Sequence, residues 1–289
     1  MEDRTTVSRF FGASGIFYAG LIDEILPHLT THEYLFLTDE FFREWQSTSD
    51  YNVARENQIL ASELIDKAHL AAATALIRTR QWIKATCSAY DCQNLVAWAS
   101  AARGLIESSG DTLDGLINIA GSIANAHQVI SSAIRGYQST RGLNFAEIEQ
   151  VLDHYVLATW MRGPRSEVRK AKDNIEYVRA LEPGVPKIVE FYHRICGLTH
   201  PSSSSIDYLY DVRETGLRLD VGRDGIEIDR LCNEFRDVLP DSLVFACNPA
   251  LLILRVLHKF RMHPQLSEFK KVKWSAIPAW VTIEKSLGG

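Results

Sequence analysis

Cysteine is scarce in this sequence. The 289 residues contain five cysteines, an odd number, and no two of them form a C-x-x-C pair: Cys87, Cys92, Cys196, Cys232 and Cys247. The first fifteen residues are charged and lack the long apolar run of a signal peptide. We therefore expect reduced thiols in a cytoplasmic protein rather than a disulfide framework.

Long apolar runs are also missing. The longest, such as Ala71–Ile77 and Leu251–Leu257, fall well short of the ~20 residues that cross a bilayer, so we expect no membrane association. Hydrophobic residues make up 46% and charged residues 23%, which is typical of a globular protein with a core. The net charge of −5 argues against a uniformly basic protein that coats nucleic acid, although a few arginines in a cleft can still bind phosphate.

Several sequence motifs that are typical of enzymes are absent. Nothing matches a P-loop, a dinucleotide-binding glycine triplet, an H-E-x-x-H helix or a nucleophile elbow. The stretch from Asp220 to Leu231 resembles a calcium loop but lacks the final bidentate glutamate, where Leu231 stands instead. No acidic or histidine pair has the spacing of metal ligands. We therefore predict no metal and no cofactor.

Proline and glycine are absent from about Val53 to Tyr90, and residues that favour helices fill this stretch, which predicts one long helix. Apolar residues at steps of three and four predict other helices over 17–29, 95–106, 113–134, 145–155 and 243–260. We expect Ser108-Ser109-Gly110 to end one of these and Asp111 to cap the next. Tyr34–Trp45 suits either a short helix or a strand. The fold class predicted is all-α, a multi-helix bundle.

Two features interrupt this helical pattern. Apolar residues alternate on either side of Gly222–Gly225, which predicts a small β-hairpin over 217–228. The segment Gly163–Lys172 is a break followed by a basic start, and we place a hinge there. It separates an N-terminal helical region, 1–162, from a C-terminal helical region, 163–289, and we expect the two to form one compact domain. Its basic residues are interpreted as a solvated helix start rather than as a phosphate site.

The segment that most suggests chemistry is Tyr192–Pro201. Pro201 ends the preceding helix at or just before His200, and Arg194 lies six residues earlier, roughly 120° around the helix axis. A guanidinium suits a phosphate, and an imidazole suits proton transfer. Metal binding by His193 and His200 is disfavoured, because a helix separates them by ~10 Å.

Arg194 followed by five residues and His200 resembles the arginine-to-histidine motif of HEPN-type domains. More narrowly, Arg103 and Glu107 together with Tyr192 and the His200-Pro201-Ser202 ending resemble a group of uncharacterised bacterial proteins of that class. The resemblance implies a helical bundle with these side chains near one cleft, and a homodimer acting as a metal-independent ribonuclease in bacterial stress or phage defence.

Two hypotheses follow from this segment. In the first, Arg194 and His200 are catalytic residues that cleave an RNA substrate, supported by Tyr192, His193, Arg103 and Glu107. Active members carry a polar residue directly after the arginine, whereas this chain has Ile195 there and His193 before it. In the second, the chain is a non-catalytic helical module that binds a protein partner, a nucleotide or a nucleic acid. His200 then caps its helix, Arg194 pairs with Glu107 or another carboxylate, and Arg103 and Glu107 form an ordinary ion pair.

Overall fold

Helices account for most of the chain in the computed structural model, which describes residues 4–137, 141–157 and 172–288. The described residues form twelve α-helices: α1 (Arg4–Leu29), α2 (Asp39–Gln46), α3 (Val53–Asp91), α4 (Leu95–Leu116), α5 (Ile119–Asn125), α6 (His127–Ile134), α7 (Ala146–Leu157), α8 (Asn174–Leu181), α9 (Ile188–Thr199), α10 (Asp224–Glu234), α11 (Val238–Leu257) and α12 (Pro278–Gly288). Two antiparallel strands, β1 (Tyr210–Arg213) and β2 (Gly216–Leu219), form one hairpin. The predicted all-α bundle with a small hairpin is confirmed.

The chain divides into two compact units, each assembled from three segments. Unit 1 comprises Met1–Asp23, Ala75–Asp114 and Lys172–Asn248, and unit 2 comprises Glu24–Thr74, Gly115–Ala171 and Pro249–Gly289. The long helices α1, α3, α4 and α11 contribute residues to both units. The hinge predicted at Gly163–Lys172 lies, apart from Lys172, outside the described residues, as does the basic cluster within it.

The long helix predicted from about Val53 to Tyr90 is confirmed as α3. The first predicted helix is α1, which bends at Gly12, where φ is 57° and the backbone leaves the helical region. Glycine adopts a positive φ at no steric cost, so the bend falls there. Within Tyr34–Trp45 only the second half is regular: Thr38 accepts a hydrogen bond from the Phe41 amide and caps α2.

The helix end predicted at Ser108-Ser109-Gly110 is wrong, because α4 continues to Leu116. The hydroxyls of Ser108 and Ser109 both donate back to the carbonyl of Leu105. They therefore do not take backbone hydrogen-bond partners away from the next turn of the helix. Gly110 lies directly against the backbone of Tyr177, where a β-carbon would clash. The glycine therefore serves close packing. Asp111, which was expected to cap the next helix, instead accepts from Arg78 at 2.7 Å.

The predicted hairpin exists, but its pairing differs from the prediction. Gly216–Leu219 pairs with the preceding strand Tyr210–Arg213, and the turn closes at Gly216, whose φ of 146° favours glycine. Residues 226–228, which were predicted as the second strand, lie in α10. Two carboxylates in the first turn of that helix, Asp224 and Glu227, suit the positive end of its dipole.

The core of unit 1 is a chain of aromatic rings. Phe10 packs edge-on against Tyr90 at 4.9 Å and lies 6.1 Å from Trp98. Trp98 in turn meets Phe191 at 6.3 Å, and Phe191 meets Phe235 at 5.2 Å. Trp98 of α4 is fully buried and Phe191 of α9 nearly so, which fixes these two helices side by side. This pair of helices carries the predicted site residues.

Unit 2 is built on the alanine-rich part of α3. Its buried residues include Ala61, Leu64, Ile65, Ala68, Ala71 and Ala72, and small side chains of this kind let neighbouring helices approach closely. Among the described helices, α11 is the one long and apolar enough to cross a membrane by length and composition, and 67% of that window is buried within the fold. A buried core helix meets the same test.

The crossing of α3 and α4 generates a stability prediction. A β-carbon added at Gly104 would lie 2.5 Å from the indole ring of Trp82, which is less than any side-chain contact allows. We expect Gly104→Ala to lower the free energy of unfolding by about 1–3 kcal/mol through overpacking. Urea unfolding measures this change. Gly121→Ala is the matched control, since nothing lies within 4 Å of its β-carbon and alanine favours a helix. An equal effect of both substitutions would contradict the predicted clash.

Candidate functional site

Helix α9 carries most of the candidate site, and its two ends are set by local sequence. The break Glu182–Pro186 precedes it, and Lys187 at its start adopts a left-handed conformation with φ of 64°. The helix ends at Thr199, and His200 follows in an extended conformation, with φ of −104° and ψ of 152°. This is the backbone region that a residue before proline prefers. The prediction that Pro201 ends the helix at His200 is confirmed.

The helical period distributes the side chains of α9 over three faces. Phe191 and Ile195 are buried in the core of unit 1. Tyr192 points to α4, where it contacts Glu107. His193 and Arg194 are exposed on the remaining face. The predicted site residues of this helix are therefore divided between two surroundings.

Glu107 is the centre of the first of these surroundings. Its Oε1 accepts a hydrogen bond from the Nε of Arg103 at 2.7 Å and another from the hydroxyl of Tyr192 at 2.6 Å. The Arg103–Glu107 pair, one helical turn apart on α4, was predicted from its i, i+4 spacing and is confirmed. The guanidinium of Arg103 also lies 5.9 Å from the centre of the Tyr192 ring. One carboxylate thus fixes both side chains.

Arg103 extends this network to His200. Its Nη1 lies 3.0 Å from Nε2 of His200, at the surface of unit 1. Because a guanidinium can only donate, Nε2 of His200 must supply the lone pair, and the ring proton must reside on Nδ1. The contact therefore requires the neutral imidazole. Arg103, Glu107, Tyr192 and His200 form one connected polar network, which we call the α4–α9 network.

The electrostatics of this network follow from burial and from the shared carboxylate. Burial, followed by the hydrogen bond to Glu107, raises the pKa of Tyr192 well above its ordinary value, so the phenol remains a donor. The hydrogen bond to Glu107 raises the pKa of Arg103. Burial also raises the pKa of the Cys196 thiol, which lies one turn from Tyr192, so this thiol is not an activated nucleophile.

Arg194 and His193 lie in the second surrounding, which is a cavity of about 420 Å³ in unit 1. Among the described residues, no hydrogen bond or ion pair joins Arg194 to His200 or to Glu107. The carboxylate partner expected for Arg194 in the non-catalytic hypothesis is instead occupied by Arg103 and Tyr192. The structure therefore brings together four of the predicted residues and sets Arg194 and His193 apart from them.

Sequence reasoning missed the other residues that line this cavity. They include two tyrosines and two arginines: Tyr208, Tyr210, Arg223 and Arg230. Arg223 pairs with Asp211, and Arg230 lies 2.5 Å from Glu227, so both cations are compensated. The signal was their spacing of seven residues, which is two helical turns and places Arg230 of α10 on the same side as Arg223, the residue just before that helix. Interpreting 226–228 as a strand concealed that spacing.

The shared carboxylate leads to a test of the α4–α9 network. Tyr192→Phe removes one donor from a partly buried carboxylate and keeps the ring, so we expect a loss of about 1–2 kcal/mol in the free energy of unfolding. Tyr51→Phe is the matched control, because that phenol also donates to a glutamate, Glu56, at 2.7 Å, but its ring is half-buried whereas that of Tyr192 is buried. We expect a smaller loss there. Chemical unfolding of both variants measures the two losses. An unchanged free energy of unfolding in Tyr192→Phe would refute the structural role of this hydrogen bond.

Comparisons with protein-family models, with curated proteins and with solved structures found no match for this chain. The resemblance to HEPN-type domains therefore stays a prediction from the short motifs around Arg103 and His200. The chemistry of the α4–α9 network and of the neighbouring cavity is what bears on function.

Proposed function

We propose that this protein is a metal-independent endoribonuclease, with His200 as the proton-transferring residue and Arg103 as its arginine partner. The observation that carries the proposal is the 3.0 Å contact between Nη1 of Arg103 and Nε2 of His200. It couples an imidazole lone pair to a fixed positive charge at an exposed position. Cleavage of RNA without a metal can use two such groups, one that takes a proton and one that stabilises the negative charge on the phosphate.

The cleavage step proposed uses the two groups in turn. The substrate phosphate takes the place of His200 as acceptor for Nη1 of Arg103, which frees the lone pair on Nε2. Nε2 then takes the proton of the ribose 2′-hydroxyl, and the 2′-oxygen attacks phosphorus. The bond from phosphorus to the 5′-oxygen breaks, and that oxygen takes a proton from solvent. The products are a 2′,3′-cyclic phosphate and a 5′-hydroxyl.

Glu107 and Tyr192 act as positioning residues in this proposal. Glu107 holds Nε of Arg103 at 2.7 Å, so the outer nitrogens of the guanidinium point along a fixed direction. Tyr192 holds the same carboxylate oxygen from α9, at 2.6 Å. A guanidinium fixed in advance loses little conformational freedom when it binds phosphate, and its planar fork suits the phosphate oxygens.

Arg194 is proposed to bind the adjoining nucleotide rather than to act in the bond-breaking step. It lines the cavity of about 420 Å³ together with Tyr208 and Tyr210. Among the described residues Arg194 has no hydrogen-bond or ion-pair partner, so its charge is available to a phosphate. Tyrosine rings supply flat surfaces on which bases stack. The homodimer and a role in bacterial stress or phage defence belong to this proposal through the HEPN resemblance alone.

A second candidate function rests on the cavity by itself. An arginine without a partner among the described residues and two tyrosines also suit a non-catalytic module that binds a nucleotide. In that case Arg103 and His200 stabilise the α4–α9 crossing and have no substrate. The two candidates differ in what His200 does, since the binding module has no activity to lose.

Cleavage of a fluorogenic RNA in EDTA separates the two functions. We expect the wild-type protein to cleave, and His200→Ala to lower kcat by about 10²–10⁴-fold, the usual contribution of a positioned acid or base. Arg103→Ala should lower kcat, and Arg103→Lys should restore it only in part, because a lysine lacks the planar fork. Arg194→Ala should raise KM with a smaller effect on kcat.

Two exposed residues outside the site provide the controls. His28→Gln and Arg213→Ala remove an imidazole and a guanidinium elsewhere on the surface, and both should keep full activity. Circular dichroism and the melting temperature establish that each variant is folded. Undiminished cleavage by the folded His200→Ala protein would refute the proposal. Binding of a nucleotide without any cleavage by the wild type would support the second candidate.

A further inference from the structure

We propose that unit 2 binds a zinc ion through His32, Asp66 and His263. His32 follows the end of α1 by three residues, Asp66 lies on α3, and His263 lies in the segment after α11. One ligand atom from each of the three residues lies within 4.8 Å of the other two. No part of the proposed ribonuclease mechanism uses these residues, which belong to the other unit.

Two of the three distances within this His-Asp-His cluster match those around a tetrahedral zinc ion, and all three ligand atoms lie within 4.8 Å of one another. Nε2 of His263 lies 3.2 Å from Oδ1 of Asp66, and Nε2 of His32 lies 3.3 Å from the same oxygen. Ligand atoms placed about 2.0–2.1 Å from a tetrahedral ion are about 3.3 Å apart. Both nitrogen–oxygen separations therefore fit a common metal ion, which would lie between the three atoms.

Burial argues that the cluster is incomplete without a ligand. The side chain of His263 is only 3% exposed, and those of Asp66 and His32 are 17% and 25% exposed. The three proposed ligand atoms are themselves buried, and among the described residues none of them has a hydrogen-bond partner of acceptable geometry. Burying three polar atoms without partners is costly, and coordination of one ion would satisfy all three.

A simple ion pair explains the cluster less well than a metal does. An imidazolium paired with Asp66 would point an N–H bond at the carboxylate. Nε2 of each histidine lies within 3.3 Å of Oδ1 of Asp66, but neither makes a hydrogen bond to it. Coordination has the opposite requirement, since a lone pair on each nitrogen must point at the ion. Two imidazole nitrogens and one carboxylate oxygen favour zinc over magnesium or calcium, which prefer oxygen ligands.

The surroundings of the cluster hold one proposed ligand in place. The ring of His69 stacks on that of His263, with centres 3.8 Å apart and an angle of 11° between the planes. His69 is held in turn by the hydroxyl of Tyr34, which lies 2.6 Å from its Nδ1. Close ring packing of this kind limits the rotation of the His263 imidazole. The three-residue set leaves one position of a tetrahedral zinc for a solvent molecule.

The proposed ion would join three segments that lie far apart in the sequence. His32 and Asp66 are 34 residues apart, and Asp66 and His263 are 197 residues apart, so one ion would cross-link the end of α1, α3 and the segment after α11. Such a link stabilises the folded chain, because the unfolded chain does not present the three ligands together. Zinc loss should therefore lower the melting temperature. Ribonuclease activity should be unaffected at temperatures well below melting.

Metal analysis and calorimetry of the full-length protein test this proposal. We expect one zinc ion per chain after purification without chelator, and a lower melting temperature after dialysis against EDTA that added Zn²⁺ reverses. Asp66→Asn and His263→Gln should each weaken Zn²⁺ binding by more than the about 10–100-fold that losing an outer partner costs. His28→Gln, an exposed histidine change in the same unit, should bind zinc like the wild type. Co²⁺ in place of Zn²⁺ should give the visible absorption of tetrahedral coordination.

Each outcome decides for or against the site. If the wild-type protein takes up no stoichiometric zinc at micromolar concentration and its melting temperature does not respond to Zn²⁺, the proposal is wrong. Zinc binding that survives in folded Asp66→Asn and His263→Gln proteins would also overturn it. If these variants fail to fold, the wild-type stoichiometry and the Co²⁺ spectrum still decide. Because the readouts are metal content and melting, they are independent of whether the chain cleaves RNA.

Discussion

The arrangement of the candidate site depends on one carboxylate oxygen, Oε1 of Glu107, that accepts hydrogen bonds from two helices. Arg103 binds it from the same helix and Tyr192 from α9. The remaining nitrogens of Arg103 are thereby directed outward, and one of them reaches His200. Without that carboxylate, a guanidinium on a long flexible stem would have no fixed direction. The proposed chemistry of His200 thus depends on a residue that does not touch it.

The core of unit 1 makes this geometry available by fixing α4 beside α9. Trp98 and Phe191 meet inside the unit, and Gly104, next to Arg103, lets α4 approach Trp82 of α3. A hydrogen bond between two helices keeps a length near 2.6 Å only if the helices cannot slide, and close packing of aromatic rings resists sliding. The packing of α4 against α9 therefore fixes the polar network, and the polar network in turn orients the groups to which we assign the reaction.

Local rules in the sequence predicted much of this site, and long-range packing determined the rest. The ion pair of Arg103 with Glu107 follows from i, i+4 spacing, and the end of α9 at His200 follows from Pro201. Ser108–Gly110 misled the prediction, because the glycine is there for close packing and not to end the helix. Gly110 lies against the backbone of Tyr177, where a β-carbon would clash. The separation of Arg194 from His200 could not be predicted either, since it depends on which face α9 presents to α4. The His32, Asp66 and His263 cluster has no local signal at all.

The tautomer of His200 is the most direct test of this account. Nitrogen NMR of the imidazole rings, with the His200 signals identified by their loss in His200→Gln, reports which ring nitrogen carries the proton. We predict the neutral ring with its proton on Nδ1 and with Nε2 as an acceptor, and we predict that Arg103→Ala abolishes this preference. A proton found on Nε2, or a His200 signal that does not respond to Arg103→Ala, would contradict the central claim that Arg103 fixes the reactive nitrogen.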